Sequence, residues 1–308
     1  MKDPHSLVGR TLHLPSGEVL SMTDRLGHGA YGAVYAAQTL PSGHMGKVRH
    51  YAVKHLPDSH LTPAQRVIQR REALLHARCS SHPHVLTLHD VVEPASPASS
   101  NPEDDPSQSR GGAGWFLILE RASGDLFDYI TSDTGLMARP DAELVARHIF
   151  AQICSAVAYC HSVGVYHRDL KPENILLVHS PSSPYPQVRL ADFGLATDVR
   201  IGADRGCGST YYMAPEARRR DGPHELPYDP VSADVWALGV LLCNLAVGRN
   251  PWTKASMNDP GFAHYATHPS TGLAELLPLS PELHDILRQA LFISPMYRCS
   301  VPELMLRV

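Results

Sequence analysis

The chain has 308 residues, 43% of them apolar and 19% charged, with a net charge of -4. That length suits two lobes better than one core, and the near balance of charge gives no bulk attraction toward nucleic acid or anionic membrane. No unbroken run of about 18 apolar residues argues for a membrane span, and Met1-Lys2-Asp3-Pro4-His5 opens no apolar stretch of the kind a signal peptide needs.

The first part reads as strands. Thr23 to Leu26 runs into a glycine turn, Ala33-Val34-Tyr35-Ala36-Ala37 leaves it, and Tyr51-Ala52-Val53-Lys54 is another short β-type run. Thr62-Pro63 opens a helix expected over Gln65 to Ala77, with Thr62 as N-cap and Pro63 at the first helical position. Val85 to Val92 and Trp115 to Leu119 read as two more strands. Between them, Pro94 to Gly114 is rich in Pro, Ser, Asp and Gly and carries too little apolar surface to order itself. A disordered insertion is expected there, and a smaller one at Ser180 to Pro186. After Gly124 the pattern turns helical. Asp141 to Val163 places Leu144, Val145, Ile149, Ile153, Val157 and Ala158 near helical spacing, Val235 to Val247 is apolar nearly all round, and Pro281 to Phe292 is amphipathic. The expected architecture is α+β: an extension at 1–19, a strand-rich lobe over 20–122 and a helix-rich lobe over 123–308. Six cysteines, at 79, 154, 160, 207, 243 and 299, form no C-x-x-C pair, which suits a reduced protein of the cytoplasm or nucleus.

Several short motifs carry chemistry. Gly27-His28-Gly29-Ala30-Tyr31-Gly32-Ala33-Val34 is a G-x-G-x-x-G-x-V loop, in which glycines let the backbone approach a phosphate chain. A dinucleotide fold shows similar glycines but needs a helix after them; here a strand follows. Lys54 closes an apolar strand. It reads either as a snorkelling strand end or as a cation over nucleotide phosphates, paired with Glu72 in the following helix. His167-Arg168-Asp169-Leu170-Lys171-Pro172-Glu173-Asn174 places a lysine two residues after an acid and an asparagine five after it, and Asp192-Phe193-Gly194 follows. This is the equipment of phosphoryl transfer. Asp169 can orient and accept a hydroxyl proton, Lys171 can neutralise the γ-phosphate, and Asn174 and Asp192 can hold Mg²⁺ through oxygen.

Together these motifs resemble the eukaryotic protein kinase superfamily, over about residues 20 to 306. The resemblance extends to Ala214-Pro215-Glu216, to Asp234-Val235-Trp236-Ala237-Leu238-Gly239, and to Arg298 as a salt-bridge partner for Glu216. It implies a bilobal fold, ATP and Mg²⁺ as cofactors, protein substrates and a monomeric catalytic domain. It also implies a gatekeeper at Leu119 and a hinge at Glu120, Arg121 and Ala122. Purine walls are implied at Leu26, Val34, Ala52 and Leu176, with Asp125 near the ribose. Lys171 and Ser209 match the serine/threonine type, in which that hydroxyl bridges the base and the lysine. Gly164 to Asp169, Cys207 to Glu216, Gly248-Arg249-Asn250-Pro251-Trp252 and Leu276 to Ser280 are similar to a fungal group acting in nutrient, cell-cycle and meiotic control. The rivals are a pseudokinase scaffold, which typically lacks one of these groups, and a small-molecule phosphotransferase, against which Ala214-Pro215-Glu216 argues.

Some positions depart from the family's usual pattern. Ile201 to Cys207 contains no Ser, Thr or Tyr, so the phosphate that the arginine before the catalytic aspartate often binds has no carrier there. Asp204 is the candidate carboxylate for Arg168 instead. His76 stands where an apolar residue is usual, as a neutral core histidine or as a pH-sensitive position. Asp125 and Glu173 match positions that contact upstream arginines in related kinases, so a basic residue before the acceptor is expected. Cys207 reads as a packed thiol rather than a redox sensor. Arg218-Arg219-Arg220 reads as a solvated charge run rather than a site for an acidic partner.

Overall fold

The computed structural model describes residues 6–29, 32–40, 47–58, 61–94, 114–178, 183–202, 205–218 and 227–308. The expected insertion thus lies, at 95–113, outside the described residues, as do Ala30, Tyr31, Asp204, Arg219 and Arg220. One compact unit comprises Met1–Ser80 with Leu86–Ala122, the other Ser81–Val85 with Ser123–Val308.

The first unit is an antiparallel six-stranded sheet in the order β1-β2-β3-β4-β6-β5. Its strands are β1 (Thr11–His13), β2 (Val19–Gly29), β3 (Gly32–Thr39), β4 (His50–Pro57), β5 (Leu88–Val92) and β6 (Gly114–Glu120), with helix α1 (Pro63–Cys79) between β4 and β5. Side chains alternate across the sheet. Tyr35, Val53, Phe116 and Ile118 join Leu12, Leu20 and Met22 in a buried cluster. The expected capping of α1 is present. Gln65 N–H donates to Thr62 Oγ1 at 3.3 Å and Thr62 N–H donates to Gln65 Oε1 at 2.8 Å, a reciprocal box with Pro63 next in line.

Two boundaries differ from the sequence reading. The stretch at 1–19 is not merely an extension, because Leu12 and Leu14 bury into the core and Thr11–His13 pairs with Val19–Ser21. Ser81–Val85 belongs with the second unit. Leu190 N–H donates to the His84 carbonyl at 2.8 Å, and Val85 forms a parallel bridge with Leu190, so the strand after α1 begins only at Leu88.

The second unit pairs β7 (Gly124–Asp125), β8 (Ile175–Val178) and β9 (Gln187–Leu190) in one small sheet. Around it stand α2 (Leu126–Thr131), α3 (Ala142–Ser162), α4 (Pro230–Val247), α5 (Pro260–Thr267), α6 (Gly272–Leu276), α7 (Pro281–Ala290) and α8 (Val301–Arg307). Helix α4 is capped by Asp229 and stopped by Gly248 in the left-handed region at φ 69°. By length and hydropathy (18 residues, mean 1.6) it could cross a membrane, but 78% of it is buried within the protein. An apolar helix of this kind is a core helix, and its buried Asp234 has internal partners. Arg298, with 1% of its side chain exposed, forms the expected ion pair with Glu216 and lies 4.9 Å over the Trp236 ring.

Candidate active site

In the first unit, strand register sets the expected nucleotide-binding side chains on one face of the sheet. Gly27 lies opposite Val34, Val34 opposite Lys54, Lys54 opposite Leu117, and Ala52 opposite both Ala36 and Leu119. Directly paired residues share a face, so Val34, Ala52, Lys54 and Leu119 point away from the Tyr35–Val53–Ile118 core. Lys54 Nζ donates to Glu72 Oε1 at 2.6 Å, with 16% and 5% of the two side chains exposed. A charge pair this buried is held by geometry rather than by water. The three glycines are not equivalent. A Cβ at Gly27 or Gly29 would meet no atom within 4 Å, whereas one at Gly32 would run into the His55 carbonyl. Gly32 is glycine for strand packing; Gly27 and Gly29 leave open backbone, which is the surface a phosphate chain requires. Leu26 sits at a register shift and is 48% exposed. The amide of Glu120 donates to Thr87 O at 2.9 Å as β6 ends, two residues before Ala122.

In the second unit the functional side chains converge on Asp169, which is 8% exposed. Its Oδ1 accepts from the Ser209 amide and the Ser209 hydroxyl, both at 2.8 Å. Its Oδ2 accepts from Lys171 Nζ at 2.8 Å and Asn174 Nδ2 at 3.1 Å. Lys171 Nζ also donates to Ser209 Oγ at 2.9 Å, so this ammonium bridges acid and hydroxyl. Asn174 Nδ2 donates again to the Asp169 carbonyl at 2.8 Å, which leaves its oxygen as the atom able to ligate a cation. Asp192 follows Ala191, whose amide donates to Asn174 O at 2.9 Å and whose carbonyl accepts from His167 Nε2 at 3.0 Å. Asn174 and Asp192 are hard oxygen donors of the kind Mg²⁺ takes alongside phosphate oxygens, so the residues present fit that ion. Asp125 caps α2 by accepting from Asp128 N–H at 2.9 Å and pairs with Leu176 across β7 and β8.

The loop is held by a carboxylate below it. Asp234 of α4, 1% exposed, accepts from the His167 amide at 2.9 Å and the Arg168 amide at 2.8 Å, and its Oδ2 lies 2.9 Å from His161 Nε2. Burial alone would raise its pKa, but the hydrogen bond and charge of His161, the His167 ring and the Arg168 amide outweigh that and hold it below the ordinary range. Arg168 and Asp192 are the two described non-glycine residues with positive φ, at 66° and 62°. Such strain persists only where the surroundings fix it, and Asp234 does so for Arg168. Gly208, at φ 104°, lets the Ser209 segment close on the loop, since a Cβ there would lie 2.5 Å from the Arg168 carbonyl.

The protein kinase domain family matches residues 20–307. The chain belongs to that family. It is 38% identical, over 98% of its length, to 61% of the Schizosaccharomyces pombe protein called negative regulator of sexual conjugation and meiosis. It is 35% identical, over 88% of its length, to 52% of the serine/threonine-protein kinase ksp1 of the same yeast. It is 32% identical, over 77% of its length, to 49% of the serine/threonine-protein kinase VHS1 of Saccharomyces cerevisiae. The kinase domain therefore spans between 49% and 61% of these relatives. Members of the family use ATP with Mg²⁺ and act on protein substrates.

Of the residues expected from sequence, the kinase domain brings Asp169, Lys171, Asn174 and Ser209 into one hydrogen-bonded group and Lys54 with Glu72 into another. His76 is 2% exposed, and its Nε2 donates to Leu86 O at 2.7 Å, as a core histidine does. Cys207 is a half-buried free thiol. Asp234 and His161 were given no role by motif reading. Their signal is a lone acid inside an apolar helix, which needs a buried partner.

Proposed function

We propose that the chain is an ATP-dependent protein serine/threonine kinase. The observation that carries this reading is the carboxylate of Asp169, saturated by four donors from Ser209, Lys171 and Asn174. An ionised carboxylate offers about four acceptor positions, so an incoming hydroxyl must replace one donor. The Ser209 hydroxyl is the exchangeable one, because the Ser209 amide still holds Oδ1. Asp169 then orients the acceptor hydroxyl and takes its proton, while Lys171 stays beside the oxygen on which charge moves. Bound ATP with Mg²⁺ would supply the phosphoryl group and neutralise the charge that shifts during its transfer. Gly27, Gly29, Gly32, Leu26, Val34, Ala52, Glu120, Ala122, Asp125 and Leu176 would receive the nucleotide. Lys54, set by Glu72, would meet its phosphates, and Asn174 and Asp192 would hold the metal.

The acceptors would be Ser/Thr hydroxyls of proteins, with a basic residue upstream facing Asp125 and the exposed Glu173. The relatives' names support a place in fungal nutrient or meiotic signalling. Six free cysteines support an intracellular site, in cytoplasm or nucleus. The test is Asp169→Asn. Transfer of phosphate from ATP to a generic protein substrate should fall about a thousandfold or more, with nucleotide affinity within a few-fold of the parent. No turnover by the parent would leave a scaffold as the better reading, and equal turnover by parent and variant would take Asp169 out of the chemistry.

A further inference from the structure

Helix α4 carries two buried polar residues, Asp234 and Asn244. Asp234 supports the catalytic loop. Asn244 lies about 15 Å further along the same helix and is 5% exposed. A buried amide in an apolar helix needs a partner at each end. Its Oδ1 accepts from the Tyr212 hydroxyl at 2.7 Å, and its Nδ2 donates to Asn250 Oδ1 at 2.8 Å. The second partner is supplied by the chain reversal that ends the helix. The Gly248 amide donates to Asn244 O at 2.9 Å, the left-handed Gly248 turns the backbone, and Asn250 comes back alongside, half-buried.

At the other end of this chain of bonds stands Ser209. Tyr212 is 8% exposed. Its amide and that of Met213 donate to Ser209 O at 3.0 and 3.1 Å, so Tyr212 closes the turn that begins at Ser209. Ser209 in turn gives both its amide and its hydroxyl to Asp169. Burial and the charge of Glu173 push the phenol pKa up, against a pull from Asn250. The phenol is therefore neutral and has one proton to donate, which Asn244 Oδ1 receives. Asn250 decides which end of the Asn244 amide faces the phenol. Without an acceptor at 250, Asn244 Nδ2 would be buried and unpaired, or the amide would turn and take its oxygen away from Tyr212.

We propose that Asn250 is a positioning residue for phosphoryl transfer, acting on Ser209 through Asn244 and Tyr212. The inference rests on the kinase reading. It makes one buried helix the support for both partners in the contact between Asp169 and Ser209: Asp234 lies beneath the catalytic loop, and Asn244 beneath the Ser209 turn. Loosening the second support should misplace Ser209 against Asp169 while leaving Lys54 and the open glycines of the other unit as they are.

The experiment is a double-mutant cycle of Asn250→Ala and Tyr212→Phe, with Asn250→Asp as the conservative variant. The readouts are kcat per folded molecule on a peptide substrate, KM for ATP and the urea midpoint. Each single variant should lower kcat about tenfold, the scale of one net hydrogen bond, with KM for ATP within about twofold. The double variant should also fall about tenfold rather than about a hundredfold, because one broken link disables the whole chain of bonds. Asn250→Asp, which can only accept, should keep kcat within about threefold of the parent. A residue that only stabilises the fold would move the midpoint and leave kcat per folded molecule unchanged. Parental kcat in Asn250→Ala, a double-variant loss near a hundredfold, or Asn250→Asp as slow as Asn250→Ala would each overturn the proposal, while the parent's turnover upholds the kinase reading. A parent that transfers no phosphate overturns that reading and the proposal together.

Discussion

In the smaller unit, α1 is docked by polar side chains: Glu72 on Lys54 at 2.6 Å, Gln69 Nε2 on Pro57 O at 3.0 Å and His76 on Leu86 O at 2.7 Å. Its outer face shows Val67, Ile68 and Leu74, each at least half exposed. In the larger unit, the catalytic loop is docked by Asp234 on an apolar helix that is almost wholly buried, with two residues in strained conformations beside it. Both kinds of contact are buried, so in either unit a removed partner leaves a polar group behind. They differ in convergence: the bonds of α1 go to separate partners, whereas Asp234 gathers three partners on one carboxylate beside strained backbone. The difference implies that the lysine–glutamate arrangement is the more adjustable of the two and the Asp169 arrangement the more fixed.

The sharpest way to break this contrast is Asp234→Asn. An amide in that place still accepts from one backbone N–H but sets its own hydrogens against His161 and the His167 amide. The loss should be about 3 kcal/mol of stability, the scale for unpairing buried charged hydrogen bonds. Turnover should fall about a hundredfold as the loop loses its support. Urea titration and steady-state assay check both. If Asp234→Asn unfolds at the parent's midpoint and keeps its turnover, the loop is not held from below.

How much of this was legible in the sequence follows the same division. Motifs gave the atoms that meet a substrate, because spacing within one loop already fixes Asp169, Lys171 and Asn174. They also gave the Glu216–Arg298 pair, through the family pattern. The supports were less visible. Asp234 stood in a quoted motif without a partner, and His161 carried no local signal, since what it touches is distant along the chain. The small strand Thr11–His13 was missed because three residues are too few for periodicity; its place comes from Leu12 and Leu14 packing into the core. Ser81–Val85 was assigned to the wrong unit because nothing in its composition says which sheet it meets.

A moderate effect is expected from Glu72→Gln, which keeps shape and acceptor but removes the charge facing Lys54. Denaturant stability should change by about 1 kcal/mol, as a charged hydrogen bond becomes a neutral one. The KM for ATP should rise about tenfold, since Lys54 loses the carboxylate that sets it. That split between stability and nucleotide use is the signature of the adjustable half. A stability loss as large as that of Asp234→Asn would erase the distinction.

The smallest effect concerns the segment that departed from expectation. His82 stacks on Tyr159 at 5.0 Å, and its Nε2 lies 3.2 Å from Ser155 Oγ; His84 faces His82, His148, Arg189 and the Val188 carbonyl. Burial depresses the pKa of both histidines below 6.5, and for His84 the charge of His82 adds to this against the Val188 hydrogen bond. A histidine depressed on folding binds protons more readily when unfolded. Its contribution is complete above the unfolded value of 6.5 and is lost as pH falls through and below it. The denaturation midpoint should therefore decline between about pH 7.5 and pH 5.5. In His84→Gln, which takes up no proton in this range, the decline should be shallower and the midpoint near pH 7.5 about the same. Ser81–Val85 is part of the larger unit, so this acid sensitivity belongs to the half otherwise held fast. An identical slope in parent and variant would mean that the histidines titrate as they do in the unfolded chain, and that this segment rests on Ser81, Tyr159 and Leu190 alone.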